Sequence, residues 1–157
     1  MKKLSFDDLS SLSVQAQRSP RRRMNQNLHT EPSDPIQRFA NAMEPETYIR
    51  PHRHRNSWEL LTALRGRFVV LIFDADGTVL DRAVLGEGDS VIEAPTAAWH
   101  ALLSLDTGGI IFEVKHGPYL PIMEEDFASW APAADDERHK ELMRWFRHAE
   151  VGQRPPV

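Results

Sequence analysis

Cysteine is absent from this 157-residue chain. Disulfides and thiolate metal sites are excluded, so any metal centre must use His, Asp or Glu. The absence also fits a reducing compartment, and a cytoplasmic location is expected. No apolar run approaches the ~18 residues of a membrane-spanning segment. The opening residues, MKKLSFDDLSSLSVQ, place no apolar stretch behind their lysines, so no export signal is expected. No internal repeat is present. An excess of positive charge is lacking too: 19 Lys and Arg stand against 23 Asp and Glu, a net charge of −4. That balance gives no general attraction to nucleic acid or to an acidic membrane, and neither is expected as a partner. The length suits one domain whose core needs no covalent staple.

Eleven prolines are spread along the chain and favour many short elements over long helices. A helix is expected from Ser5 to about Arg18. Ser5 can cap it, Asp7 and Asp8 suit its positive end, and Leu9, Leu12 and Ala16 share a face. Pro20 ends it. Residues 36–43, IQRFANAM, fit either a strand or one turn of helix. From Thr47 onward, short apolar runs alternate with Gly/Asp turns: WELLTALR (58–65), RFVVLIF (67–73), TVLDRAVL (78–85), VIEAP (91–95), WHALLSL (99–105) and IIFEVK (110–115). The tetrapeptide DADG (74–77) is a hairpin signal; it lacks the remainder of a calcium loop. About seven or eight such strands indicate a sandwich or barrel. Residues 135–148 put acids first and bases later around Leu142, Trp145 and Phe146, as a helix packed on the barrel or at a dimer contact would. The expected division is a lead-in segment with its helix over 1–45, a barrel over 46–120, and a C-terminal extension over 121–157. Open sheet edges make a homodimer a reasonable expectation.

Within PHRHRNSWEL (51–60), His52 and His54 are two apart, so on a strand they share a face and can grip one ion. Glu59 cannot reach that ion along a straight strand. A reversal at the turn-like RNS (55–57) would bring it back. His100, in PTAAWH (95–100), is available as a fourth ligand if antiparallel pairing carries it alongside. Three imidazoles and one carboxylate suit one divalent ion of Fe, Mn, Ni, Co or Zn. On a tetrahedral ion they close the site; on an octahedral ion they leave two positions for substrate or water.

The spacing of His52, His54, Glu59 and Gly66 resembles the first cupin motif, and PTAAWH resembles the second. The chain is also similar to the WbuC family of cupin fold metalloproteins. That likeness is carried by SPRRRMNQN (19–27), DPIQRFANAMEP (34–45), YIRPHRH (48–54), WEL (58–60), LRGRFVVLIFD (64–74), WH (99–100) and FEVKHGPY (112–119), and it runs from about residue 4 to 132. Glu46 and Ala97 stand where the cupin motifs usually carry glycine; neither position supplies a ligand. The resemblance implies a mainly β protein: a cupin jelly-roll barrel (a double-stranded β-helix) with flanking N- and C-terminal helices and a metal inside one end. It also implies a sugar or sugar-nucleotide substrate in polysaccharide biosynthesis.

Other residues extend this site. Arg50 and Tyr48 share the inward parity of His52, and Arg50 is a candidate for binding a carboxylate or phosphate. Glu113 and Lys115 share a face, with Phe112 and Val114 on the other. Glu113 is the general-base candidate. Lys115, Arg38 and Tyr119 complete the substrate-binding candidates. RRR (21–23) fits a solvated face or a clamp for an acidic ligand better than a nucleic-acid patch. Asn25, Asn27 and His29 follow it as polar loop, able to close over the pocket. His116, His139 and His148 read as surface. The expected function is an isomerase, hydrolase or oxygenase acting on a small molecule with the metal as Lewis acid. The alternatives are a metal-containing cupin that binds or senses a ligand without turning it over, and a purely structural metal closed to solvent.

Overall fold

The computed structural model describes residues 1–156. Helix α1 (Phe6–Arg18) begins at a reciprocal cap: the Asp8 amide donates to Ser5 Oγ at 3.1 Å and the Ser5 amide donates to the Asp8 carboxylate at 2.8 Å. Eight strands follow: β1 (Arg23–Asn27), β2 (Ile36–Met43), β3 (Glu59–Arg65), β4 (Phe68–Phe73), β5 (Val79–Leu85), β6 (Val91–Ala94), β7 (Trp99–Ser104) and β8 (Gly109–His116). A short helix α2 (His139–Phe146) lies near the C-terminus. All strand pairings are antiparallel. One sheet has the order β1-β2-β8-β3-β6, the other β5-β4-β7. This is the jelly-roll barrel expected from the short, turn-punctuated runs.

The uninterrupted apolar run of β4 follows from burial on both faces. Phe68 and Val70 face the barrel interior with Met43, Leu61, Leu85 and Ile111. Val69, Leu71 and Phe73 face outward, where Ala128, Leu142, Met143 and Phe146 cover them. Trp145 and Phe146 lie 6.4 and 6.0 Å from Phe73, ring centre to ring centre. The Leu142 and Phe146 stripe is therefore helix-to-barrel packing. On the opposite side, Leu9, Leu12 and Ala16 of α1 pack against Ala40, Ala42 and Ile110 of the larger sheet. The layers run α1, large sheet, interior, small sheet, C-terminal segment.

Three local expectations need correction. The barrel starts at Arg23 rather than at residue 46, because β2 pairs with β8 from Ile36–His116 to Met43–Gly109, and β1 pairs with β2. Residues 23–27, expected as polar loop, are an edge strand. The residues that border the cavity, Arg23 and Asn25, are polar, which hides the alternation that marks a strand. Helix α2 begins at His139, not Asp135: Asp136 is engaged by Arg138, whose guanidinium donates to it at 2.6 Å. No helix among the described residues is long and apolar enough to cross a membrane.

Candidate metal centre and cavity

Hydrophobic side chains fill only part of the interior; the remainder carries polar groups. The segment before β3 is extended, and His52 is paired on both sides. His52 and His100 exchange backbone hydrogen bonds at 3.1 and 2.9 Å. On the other side, the Ala128 amide donates to the Pro51 carbonyl at 2.8 Å and the Arg53 amide to the Asp126 carbonyl at 3.0 Å. Pro51 cannot donate, but here it only needs to accept. The segment thus extends the small sheet beyond β7. His52 and His54 share a face by their spacing, and His100 lies beside them across the pairing.

The three imidazoles converge. Ring centres are 4.9 Å apart for His52 and His54, 4.6 Å for His52 and His100, and 5.6 Å for His54 and His100. Each offers a nitrogen, and these atoms all lie within 4.8 Å of one another. Two tautomers are fixed by the backbone. His52 Nδ1 donates to the Arg50 carbonyl at 2.9 Å and His100 Nδ1 to the Ala98 carbonyl at 3.0 Å, so each turns a lone pair on Nε2 toward the centre. Glu59 opens β3 on the facing sheet. Its carboxylate lies 2.9 Å from His54 Nε2 and 3.1 Å from His100 Nε2. At His54 the alignment is not that of a hydrogen bond, which leaves a buried ring nitrogen unsatisfied. Two oriented lone pairs, one unsatisfied nitrogen and a converging carboxylate are the donor set a divalent metal requires.

The electrostatics agree. Burial, with repulsion from His100, lowers the His52 pKa to about 3, so this imidazole is neutral and ready to ligate. Burial also opposes charge on His100, but the Glu59 carboxylate outweighs it and raises that pKa. Burial opposes ionisation of Glu59, yet the adjoining His100 and His54 rings and the charge of Lys115 hold its carboxyl well below the ordinary range. Lys115 Nζ reaches Glu59 Oε1 at 2.7 Å. Glu113, two residues back on β8, is buried; burial first, then the charge of Glu59, pushes its pKa up to about 7. Its only hydrogen-bond partner among the described residues is Asn41 Nδ2, at 3.3 Å.

These groups line one side of a cavity of about 600 Å³. Glu113 and Lys115 point inward as their parity requires, while Phe112 packs outward toward α1. Tyr48 and Arg50 reach the wall, but their polar ends are committed. The Tyr48 hydroxyl donates to the Pro132 carbonyl at 2.8 Å, and its ring stacks on the half-buried His139 at 4.9 Å. Arg50 donates to the carbonyls of Ala131 and Ala128 and to Glu124, and lies over the Phe127 ring. It therefore ties the segment 124–131 to the barrel. Tyr119, mostly exposed, stands at the mouth. Arg38 lies outside the cavity and pairs with Asp34 at 3.1 Å. It has the wrong parity on β2: Phe39 and Asn41 face the interior, and Arg38 shares the outward face of Ala40 and Ala42. Asn41 was not singled out by sequence; its alternation with Phe39 was the available signal. Ala97 adopts φ 63°, the left-handed region that glycine favours, whereas Glu46 takes no positive φ. The Ala97 amide donates to the His54 carbonyl at 2.8 Å, which fastens the turn to the metal-binding segment.

Residues 4–85 match the family described as "Domain of unknown function (DUF6016)", and the chain belongs to that family. No curated protein matches it. Among solved structures, TT1209 from Thermus thermophilus is 19% identical with a TM-score of 0.54, covering 74% of this chain and 97% of that one. KdgF from Halomonas sp. is 16% identical with a TM-score of 0.51, covering 65% of this chain and 84% of that one. A cupin 2 domain-containing protein from Halorhodospira halophila is 18% identical with a TM-score of 0.51, covering 72% of each chain. These likenesses show the fold alone, a cupin jelly roll.

Proposed function

We propose that this protein is a metal-dependent enzyme acting on a small molecule held in the barrel cavity, with one divalent ion on His52, His54, His100 and Glu59. The observation that carries this reading is the convergence of three imidazole nitrogens within 4.8 Å of one another, beside a cavity of about 600 Å³. A centre opening on so much space suits a ligand better than it suits a closed structural metal. The donor types fit Fe, Mn, Ni, Co or Zn. When bound, the ion supplies Lewis acidity to an oxygen of the substrate.

The chain's own residues supply the remainder. His52 and His100 are locked in the ligating tautomer by the Arg50 and Ala98 carbonyls. Lys115 holds Glu59 in place and adds positive charge beside the reacting oxygen. Glu113, with its pKa near 7, can take a proton from substrate carbon or water at neutral pH and return it. Lewis acid and carboxyl base together suit isomerisation, in which the base moves a proton from one substrate carbon to another, or hydrolysis, in which it takes a proton from the attacking water and returns it to the departing group. The likeness to the WbuC family makes sugars and sugar-nucleotides of polysaccharide biosynthesis the first compounds to test.

The test is a panel of sugar-nucleotides and acidic sugars offered to metal-loaded protein, to metal-free protein and to a Glu113→Gln variant that keeps its metal. The reading expects turnover of at least one compound, lost in both controls. Tight binding of a compound that is never turned over would instead establish the non-catalytic, ligand-sensing reading.

A further inference from the structure

The sequence carries three consecutive arginines, Arg21 to Arg23, just before and into β1. The structure separates them. Arg22 takes φ 55°, and its side chain turns back to the Gln17 carbonyl at the end of α1 and toward Glu46. Arg21 and Arg23 both line the cavity. Arg23 lies on the inward face of β1, opposite Met43, which belongs to the interior cluster.

The cavity wall carries four permanent cations, Arg21, Arg23, Arg50 and Lys115, and two acids, Glu59 and Glu113. Two of the cations are engaged: Arg50 with Glu124 and two carbonyls, Lys115 with Glu59. Glu113 lies far enough from Arg23 to make no ion pair with it, and its own environment drives it toward the neutral form. Among the described residues, neither the Arg21 nor the Arg23 guanidinium has a hydrogen-bond or ion-pair partner. Arg23 is nevertheless half-buried; burial and then the nearby charge of Arg21 work against its ionisation, and the charge of Glu113 offsets them only in part. Arg21 is exposed and Arg23 half-buried, so two guanidiniums without an ion-pair partner share one cavity wall, where an anionic ligand would offset their mutual repulsion. A planar fork of N–H donors matches carboxylate or phosphate oxygens two at a time. The chain as a whole is acidic, with net charge −4, so this concentration of positive charge is local to the cavity.

We propose that Arg21 and Arg23 form an oxyanion subsite of this cavity, and that its substrate therefore carries a carboxylate or phosphate group. The proposal rests on the cavity being the substrate site. The anionic group is held at the β1 edge while another part of the molecule reaches the histidine cluster. Asn25 and Asn41, directly paired across β1 and β2 and both on the cavity wall, offer amide donors and acceptors to the portion between.

The experiment is titration of the full chain, metal-free and metal-loaded, with inorganic phosphate and separately with succinate at low salt. The comparison is an Arg21→Gln/Arg23→Gln variant whose metal content is measured in parallel. The expected result is binding of at least one anion by the wild type, weakened about tenfold or more in the variant in both metal states, with metal content unchanged. Which anion binds more tightly separates a phosphate-bearing from a carboxylate-bearing substrate. Binding of neither anion by the wild type, or variant affinity within about twofold of it, overturns the subsite. If the double variant fails to fold, amide shifts in the wild type decide. Phosphate or succinate should perturb Arg23 and Asn25, and shifts confined to surface arginines such as Arg138 contradict the proposal. Arginine-dependent anion binding in protein that never takes up metal would leave the subsite standing and refute the metal reading. Metal uptake with arginine-independent anion binding would do the reverse.

Discussion

His52 and His100 exchange both of their backbone hydrogen bonds, at 3.1 and 2.9 Å. Residues paired in this way face each other directly, with side chains on one surface of the sheet. The pairing joins two ligands far apart in sequence, and its energy resides in the backbone rather than in the imidazoles. Truncating His52 and His54 to alanine should therefore abolish metal uptake while the barrel stays folded. Circular dichroism of the chelated variant should overlay that of the chelated wild type. Loss of strand signal would contradict this.

Glu113 makes stability depend on pH with a definite sign. Its pKa rises on folding from 4.5 to about 7, so the folded state holds the proton more tightly. Stability from this group is full below about pH 4.5 and is lost as pH rises through about 7, on the order of 3 kcal/mol in all. Glu113→Gln keeps the shape without the charge. Denaturant melts of metal-free protein should show the variant gaining on the wild type as pH rises through neutrality. Parallel curves would contradict the assignment.

Metal binding should compete with a proton at His100. The Glu59 carboxylate raises the His100 pKa against the effect of burial, and only the neutral ring ligates. Affinity for zinc should weaken as pH falls through the raised His100 pKa, by up to about tenfold per pH unit. Calorimetry in buffers of different ionisation enthalpy should show net proton release on binding. No release would place the proton elsewhere.

Arg50 reached the wall as its parity foretold, but its donors hold the segment 124–131. Arg50→Ala should cost about 2–4 kcal/mol, since two carbonyls lose a charged donor. It should leave metal content intact. A variant of wild-type stability with weakened anion binding would restore Arg50 as a ligand-binding group.

Leu142 of α2 is fully buried against the small sheet. Leu142→Ala should destabilise by about 2–5 kcal/mol in denaturant melts. Metal stoichiometry should stay unchanged, because the histidines lie on the other side of that sheet. A variant as stable as wild type would show that α2 contributes little to the fold.

Much of this arrangement was legible in the sequence where local chemistry and periodicity agree. The cap at Ser5, the hairpin at DADG, the strand at 67–73 and the inward parity of Glu113 and Lys115 are of this kind. The misses share a cause. Arg23 and Asn25 are polar because they border a polar cavity, so the usual apolar alternation is missing and the strand is hidden. Arg38 is one residue out of phase with the interior, and period-two geometry turns a single step into the opposite face. The commitments of Arg50 and Tyr48 to the carbonyls of residues 128, 131 and 132 depend on a segment whose return to the barrel no local pattern announces.

The most direct measurement is elemental analysis of untagged protein purified without chelator, beside His100→Ala prepared identically. Near-stoichiometric divalent metal in the wild type, falling to about a tenth or less in the variant, is the expected result. Equal metal in both proteins, or none in either, would contradict a centre built on His52, His54, Glu59 and His100.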